Sequence, residues 1–197
     1  MSRNHSDIFK SKIWTIPNIL SIFRILLVPV FIWSVLNKKA FEALLIFFIA
    51  ALSDILDGFA ARVWHQRSKL GTILDPAADK LLMAASYVIL TMPEVAEPNV
   101  IPLWLTLVVF SRDILIVTGA SIAYLAWGQK IFIPSFLGKI STSCQVGTVL
   151  LVLVLNYLRA AGGFMIWVFG LTLAATLASG THYFAYGLAA LRQHRKI

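Results

Sequence analysis

Residues 40–92 read AFEALLIFFIAALSDILDGFAARVWHQRSKLGTILDPAADKLLMAASYVILTM, two apolar runs separated by the basic stretch from Trp64 to Lys69. Each run approaches the roughly 20 apolar residues that a helix needs to cross a hydrocarbon core. So short a connection makes the two antiparallel neighbours. Moving outward, further apolar stretches lie at about 16–36, 99–127, 138–158 and 164–190, which with 40–63 and 72–92 make six. The expected fold is all-α, a polytopic membrane protein of six transmembrane helices forming one domain over residues 1–197. A hydrophobic content of 59% exceeds what a soluble core requires, and the connections leave no room for a separate soluble domain.

The first span follows a basic leader, Arg3, Lys10 and Lys12, as a secretory signal would. Its apolar run is too long, it carries Arg24, and no small-residue cleavage site precedes Asn37, Lys38 and Lys39, so it is expected to be retained. The single cysteine, Cys144, leaves no internal disulfide and no thiolate metal site.

The net charge of +8 is explained by topology. With six spans, Arg3, Lys10, Lys12, Arg62, Arg67, Lys69, Lys130, Lys139, Arg192, Arg195 and Lys196 share one side of the membrane, whereas Lys38, Lys39 and Arg159 face the other. The positive-inside rule then puts both termini in the cytoplasm, as in a bacterial inner membrane. The basic side also suits anionic lipid headgroups of the bilayer. Nucleic acid is not an expected partner, because no basic stripe is interleaved with exposed aromatics.

Asp54, Asp57, Asp75, Asp79 and Asp113 fall inside or at the ends of spans, as do Arg24, Lys80 and Arg112. A charge at mid-bilayer costs on the order of 3 kcal/mol, so such residues pair, face a wet cavity or bind an ion. At 100° per residue, Asp54, Asp57, Gly58, Ala61 and Arg62 share one arc of the second span, and Gly71, Asp75 and Asp79 share one arc of the third. All four aspartates then lie at similar depth near the cytoplasmic face, in a cavity open to that side. Their mutual repulsion calls for hard divalent cations, and Mg²⁺ or Mn²⁺ suits carboxylates combined with substrate phosphates. Gly58, Ala61 and Gly71 serve either close helix packing or the space for a flat ligand, beside which Arg62 can fork a phosphate. Intramembrane carboxylates also mark ion paths, so an ion transporter is the alternative from another class. A transporter wants charge near the midplane and on both sides, whereas these aspartates crowd toward one face.

Written as a pattern, Asp54 to Asp79 is D-x2-D-G-x2-A-R-x8-G-x3-D-x3-D. This resembles the signature of the CDP-alcohol phosphatidyltransferase family, closest to phosphatidylglycerophosphate synthases or single-motif cardiolipin synthases, with every motif position matched. The resemblance implies that Asp54, Asp57 and Asp75 are the main ligands of one or two Mg²⁺ or Mn²⁺ ions, and that Asp79 is the general base with metal contact. It assigns Gly58, Ala61, Arg62 and Gly71 to the cytidine nucleotide pocket, CDP-diacylglycerol as donor, and a homodimer as assembly. The implied reaction transfers the phosphatidyl group to an alcohol and releases CMP.

The acceptor is expected to be read by Arg24, Arg112, Lys139, Ser141, Thr142 and Gln145. The stretch Gly138 to Gln145 is similar to the G-K-x-[KS]-T-x2-Q segment of phosphatidylglycerophosphate synthases, and Pro17 to Arg24 is similar to the family's first-span opening. Lys139 has a second reading as a positive-inside anchor, Arg112 as the structural partner of Asp113, and Arg24 as the partner of an aspartate or of the donor. Arg112-Asp113 departs from the Arg-Glu of phosphatidylglycerophosphate synthases toward cardiolipin synthases. Glycerol 3-phosphate is the favoured acceptor on the surplus of cations, and phosphatidylglycerol is the alternative. The scattered histidines carry no assigned catalytic role, and His182 is expected to be hydrogen-bonded.

Overall fold

A computed structural model describes residues 16–63, 71–127 and 135–194; the side chains of 16–17, 55–63, 71–75, 120, 122–127 and 186–194 lie outside the described set. Among the described residues all regular structure is helical: α1 Ile16–Leu36, α2 Ala40–Val63, α3 Gly71–Ile89, α4 Pro93–Ala96, α5 Leu103–Trp127, α6 Phe136–Tyr157 and α7 Met165–His194. The six expected spans coincide with the six long helices to within a few residues, apart from the break between the third and fourth. That break differs for a physical reason. The third helix, expected to run to residue 92, stops at Ile89, and the next long helix begins at Leu103 rather than 99. Proline lacks an amide donor and disfavours helix in the residue before it. Pro93 therefore opens the separate short helix α4, and Pro102 precedes α5, accepting hydrogen bonds from the amides of Leu105 and Thr106.

The chain forms two compact units, Met1–Ile89 and Leu90–Ile197. In the first, α1 packs against both α2 and α3. Asn18, Ser21, Arg24, Val28, Phe31 and Val35 are buried at spacings of three or four, a single stripe of the helix. Phe31 meets Phe47 of α2 with ring centroids 6.0 Å apart. The opposite face of α1 exposes Ile19, Ile22, Phe23, Leu26, Val30 and Trp33. Polar groups inward and large apolar groups outward invert the pattern of a water-soluble helix, and match a helix whose outer solvent is lipid. The turn into α2 is closed by the amide of Lys39 on the Ser34 carbonyl, with Lys38 left-handed at φ 56°. Lys39 Nζ lies 4.6 Å from the Trp33 ring centroid and 3.0 Å from Glu42, the mix of aromatic and charge expected at a membrane boundary.

In the second unit α7 packs against both α5 and α6. The α6/α7 seam is a ladder of small polar groups: Thr148 with Thr172 at 2.7 Å, Ser141 with Thr176 at 3.3 Å, and Gln145 Nε2 with the Ser141 and Thr176 hydroxyls at 3.2 and 3.4 Å. All five side chains are buried. Among apolar helices such bonds, with close approach of small residues, supply association that the hydrophobic effect does not. Phe136–Tyr157, Met165–Ala185 and Asn18–Leu36 are each long and apolar enough to cross a membrane. The described side chains of α2, α3 and α5 form shorter stretches.

At one end of this unit an amide knot ties the loops together. Asn156 Nδ2 donates to the carbonyls of Ala96 (2.6 Å) and Asn99 (3.1 Å), and its Oδ1 accepts from the Asn99 amide (2.9 Å) and Nδ2 (3.0 Å). Asn99 also donates to the Ala160 carbonyl and accepts from the Gly162 amide, each at 2.8 Å. Asn156→Ala strands several buried groups at once and is expected to cost about 3 kcal/mol. Thermal unfolding in detergent checks this, and an unshifted midpoint would show that water replaces the side chain.

Candidate functional site

Each unit places one cluster of sequence-predicted site residues. In the first, Arg24 of α1 reaches one carboxylate on each neighbouring helix. Its Nη1 lies 3.0 Å from Asp54 Oδ1 of α2 and 2.8 Å from Asp79 Oδ1 of α3. The Arg24 side chain is 0% exposed, whereas those of Asp54 and Asp79 are 44% and 46% exposed. Helix periodicity explains the convergence: Arg24 lies on the same buried stripe as Asn18, Ser21 and Val28, and that stripe is the face α1 turns toward both partners.

Of the other motif residues, Asp57, Gly58, Ala61 and Arg62 fall on α2, and Gly71 and Asp75 on α3. Their side chains lie outside the described residues. Among the described residues no group of three or more carboxylate, histidine or cysteine side chains is gathered as a metal cage. Two of the four expected carboxylates are nevertheless together, with oxygens sharing one cationic nitrogen and open sides remaining. Carboxylate oxygens are the hard donors that a small divalent cation takes.

In the second unit Arg112 of α5 is 8% exposed; Nη1 donates to Asp113 Oδ1 at 2.7 Å and Nη2 to Ser179 Oγ at 2.8 Å. Its guanidinium carbon lies 5.9 Å from the Tyr183 ring centroid, and its Nε is buried with no hydrogen-bond partner among the described residues. The Tyr183 hydroxyl accepts from the amide of Ser135, and Ser135 Oγ caps α6 by accepting from the amide of Gly138, both at 3.0 Å. A Cβ on Gly138 would come within 3.0 Å of the Tyr183 oxygen and 3.4 Å of Arg112 Nη2, so glycine keeps the N-terminus of α6 close to the guanidinium. The N-terminus of α6 and the Arg112 guanidinium, whose charge Asp113 partly offsets, present donors that suit an anion.

Arg112 lines an open groove of about 320 Å³ whose walls include Val108, Leu115, Leu177 and Phe184, with Ser111, Thr176 and Thr181 as polar members. The other expected acceptor residues divide. Ser141 and Gln145 point into the α6/α7 seam. Lys139 and Thr142 are exposed, with Thr142 Oγ1 bonded to the Gly138 carbonyl one turn back. Two of the three second readings made from the sequence are present in the structure: Arg112 pairs with Asp113, and Arg24 pairs with aspartates. His182 is exposed and stacks beside Tyr183 at 6.2 Å between centroids. Sequence reading missed Thr172, Thr176, Ser179 and Tyr183. Their signal was a polar stripe at spacings of four, three and four along an apolar helix.

The family model for CDP-alcohol phosphatidyltransferase matches residues 14–178. A cardiolipin synthase (CMP-forming) of Homo sapiens is 36% identical over 88% of this chain and 62% of its own length. One from Streptomyces coelicolor is 39% identical over 66% of this chain and 61% of its own. The CDP-diacylglycerol–glycerol-3-phosphate 3-phosphatidyltransferase of Escherichia coli K12 is 34% identical over 68% of this chain and 73% of its own. The chain thus spans less than two thirds of the length of the two cardiolipin synthases. With the match covering most of its residues and both motif-bearing helices, the chain belongs to the CDP-alcohol phosphatidyltransferase family.

Proposed function

We propose that the chain transfers the phosphatidyl group of CDP-diacylglycerol to a primary hydroxyl of phosphatidylglycerol, releasing CMP and forming cardiolipin. The general reaction rests on family membership, which sets aside an ion transporter, and on the convergence of Asp54 and Asp79. One observation carries the choice of acceptor: Arg112 lies in a groove with apolar walls. A phosphodiester with acyl chains satisfies both the cation and the walls, whereas glycerol 3-phosphate satisfies only the cation. The cardiolipin synthases among its relatives support the same choice. Glycerol 3-phosphate, favoured by the sequence on cation count alone, is the second reading, supported by the Escherichia coli relative and by exposed Lys139.

The residues take these roles. Asp54, Asp57, Asp75 and Asp79 would hold one or two Mg²⁺ or Mn²⁺ ions, which when bound neutralise the donor diphosphate and the charge on departing CMP. Gly58, Ala61, Arg62 and Gly71 line the cytidine pocket. Asp79 takes the proton of the acceptor hydroxyl, whose oxygen attacks the phosphorus bearing diacylglycerol as the bond to CMP breaks. Within the second unit, Arg112, Tyr183 and the N-terminus of α6 offer donors suited to a lipid phosphodiester. In this reading all six long helices cross the membrane, with both termini cytoplasmic and the aspartate cavity open to that side; the distribution of lysine and arginine supports it. A bacterial inner membrane and a homodimer complete the reading, the latter on family resemblance.

Purified chain in nanodiscs, given CDP-diacylglycerol with phosphatidylglycerol and glycerol 3-phosphate in competition, tests the acceptor. Cardiolipin as the main product, abolished by EDTA, is expected. Phosphatidylglycerophosphate as the main product would establish the second reading. Absence of CMP release with either acceptor would overturn both.

A further inference from the structure

We propose that Arg24 is a resident counter-ion of the aspartate centre that competes with a divalent cation for the Asp54 and Asp79 oxygens. The inference rests on the reading that Asp54 and Asp79 are metal ligands. It goes further by giving those oxygens a second, competing partner within the chain.

Arg24 belongs to neither motif-bearing helix, yet α1 is the element packed against both of them, and its guanidinium touches a carboxylate on each. A single nitrogen, Nη1, makes both of these contacts, at 3.0 and 2.8 Å. In a membrane helix an uncompensated carboxylate is costly, and carboxylates held close on adjacent helices also repel. The Arg24 guanidinium supplies a positive charge that offsets both costs at that point. Arg24 is fully buried with its charge delivered at that point, whereas the carboxylates are nearly half exposed. An ion therefore has access to the aspartates from their open side and meets the arginine from the opposite one.

Competition follows from thermodynamic linkage. A group that occupies the same oxygens in the empty state lowers apparent metal affinity by the strength of the contacts that must break. The same contacts stabilise the empty centre. One substitution should therefore move the two properties in opposite directions, which a merely structural arginine would not do. Once released, the guanidinium is a buried donor beside a site expected to receive a diphosphate, so its charge remains useful.

The test measures Mn²⁺ binding by electron paramagnetic resonance and thermal unfolding, with full-length wild type and Arg24→Gln in nanodiscs without lipid donor. The variant is expected to bind Mn²⁺ roughly 10-fold more tightly. It should also unfold at lower temperature in EDTA and recover most of the difference when Mn²⁺ is added. Unchanged or weaker Mn²⁺ binding overturns the proposal and assigns Arg24 a permanent place beside the metal. Wild-type guanidinium ¹⁵N resonances under Mg²⁺ titration give a second readout, decisive even where Arg24→Gln fails to fold. The Arg24 signal should shift with saturation, and a signal unmoved at saturating Mg²⁺ overturns the proposal. Binding of no divalent cation by the wild type overturns instead the metal reading on which it rests.

Discussion

Asp79→Asn is expected to lower acceptor-dependent CMP release by about 10³-fold in protein that remains folded, the range lost when a positioned general base is removed. Asparagine keeps the shape of the side chain, and its Oδ1 can still accept the hydrogen bond that Arg24 now gives to Asp79 at 2.8 Å. It lacks the capacity to take a proton from a hydroxyl. The change is thus closer to chemical than structural, and the unfolding temperature should fall little. Measuring Mn²⁺ affinity on the same sample separates the two roles given to Asp79. Lost rate with near-normal metal binding identifies a base, and lost rate with lost metal identifies a ligand. Activity within tenfold of wild type would remove Asp79 from the mechanism.

Arg112→Ala is expected to raise the acceptor KM by about 10²-fold while the donor KM stays within twofold. Hydrogen bonds to charged groups contribute about 1.5–3 kcal/mol, and a factor of ten corresponds to about 1.4 kcal/mol. Truncation also leaves Asp113, 17% exposed, without its 2.7 Å partner, and breaking a buried pair from one side is destabilising in its own right. The double variant Arg112→Ala with Asp113→Asn controls for this. Stability should partly return and the acceptor KM should stay high. Arg112→Lys should fall between, because a single ammonium does not reproduce a fork that serves Asp113 and Ser179 with separate nitrogens. Equal effects on donor and acceptor KM would mean that the residue supports the unit's packing and not the acceptor.

Residues whose meaning lies in their own helix were legible before any coordinates. The apolar lengths marked the six long helices, and Asp54 and Asp79 were marked as functional by the cost of charge in such segments. Small errors fell where prolines crowd, at Pro93, Pro98 and Pro102, because hydropathy alone does not register a missing amide donor. The Asn99–Asn156 knot escaped because the two residues are 57 positions apart. Nothing local distinguishes an asparagine that ends a helix from one that fastens two loops.

The sequence by itself determined the helical class, the number and approximate bounds of the long helices, the family pattern and the charge asymmetry. All of these follow from side-chain period and transfer energy along one strand of chain. Tertiary structure alone decided which charges meet. Arg24 could have faced lipid headgroups, a donor or either aspartate, and packing of α1 against both α2 and α3 selected Asp54 and Asp79 together. It likewise turned Ser141 and Gln145 into a helix seam and left Arg112 in a groove with apolar walls. Contacts between distant residues depend on the rotation and approach of whole helices, which the burial of many side chains sets jointly and no single motif encodes.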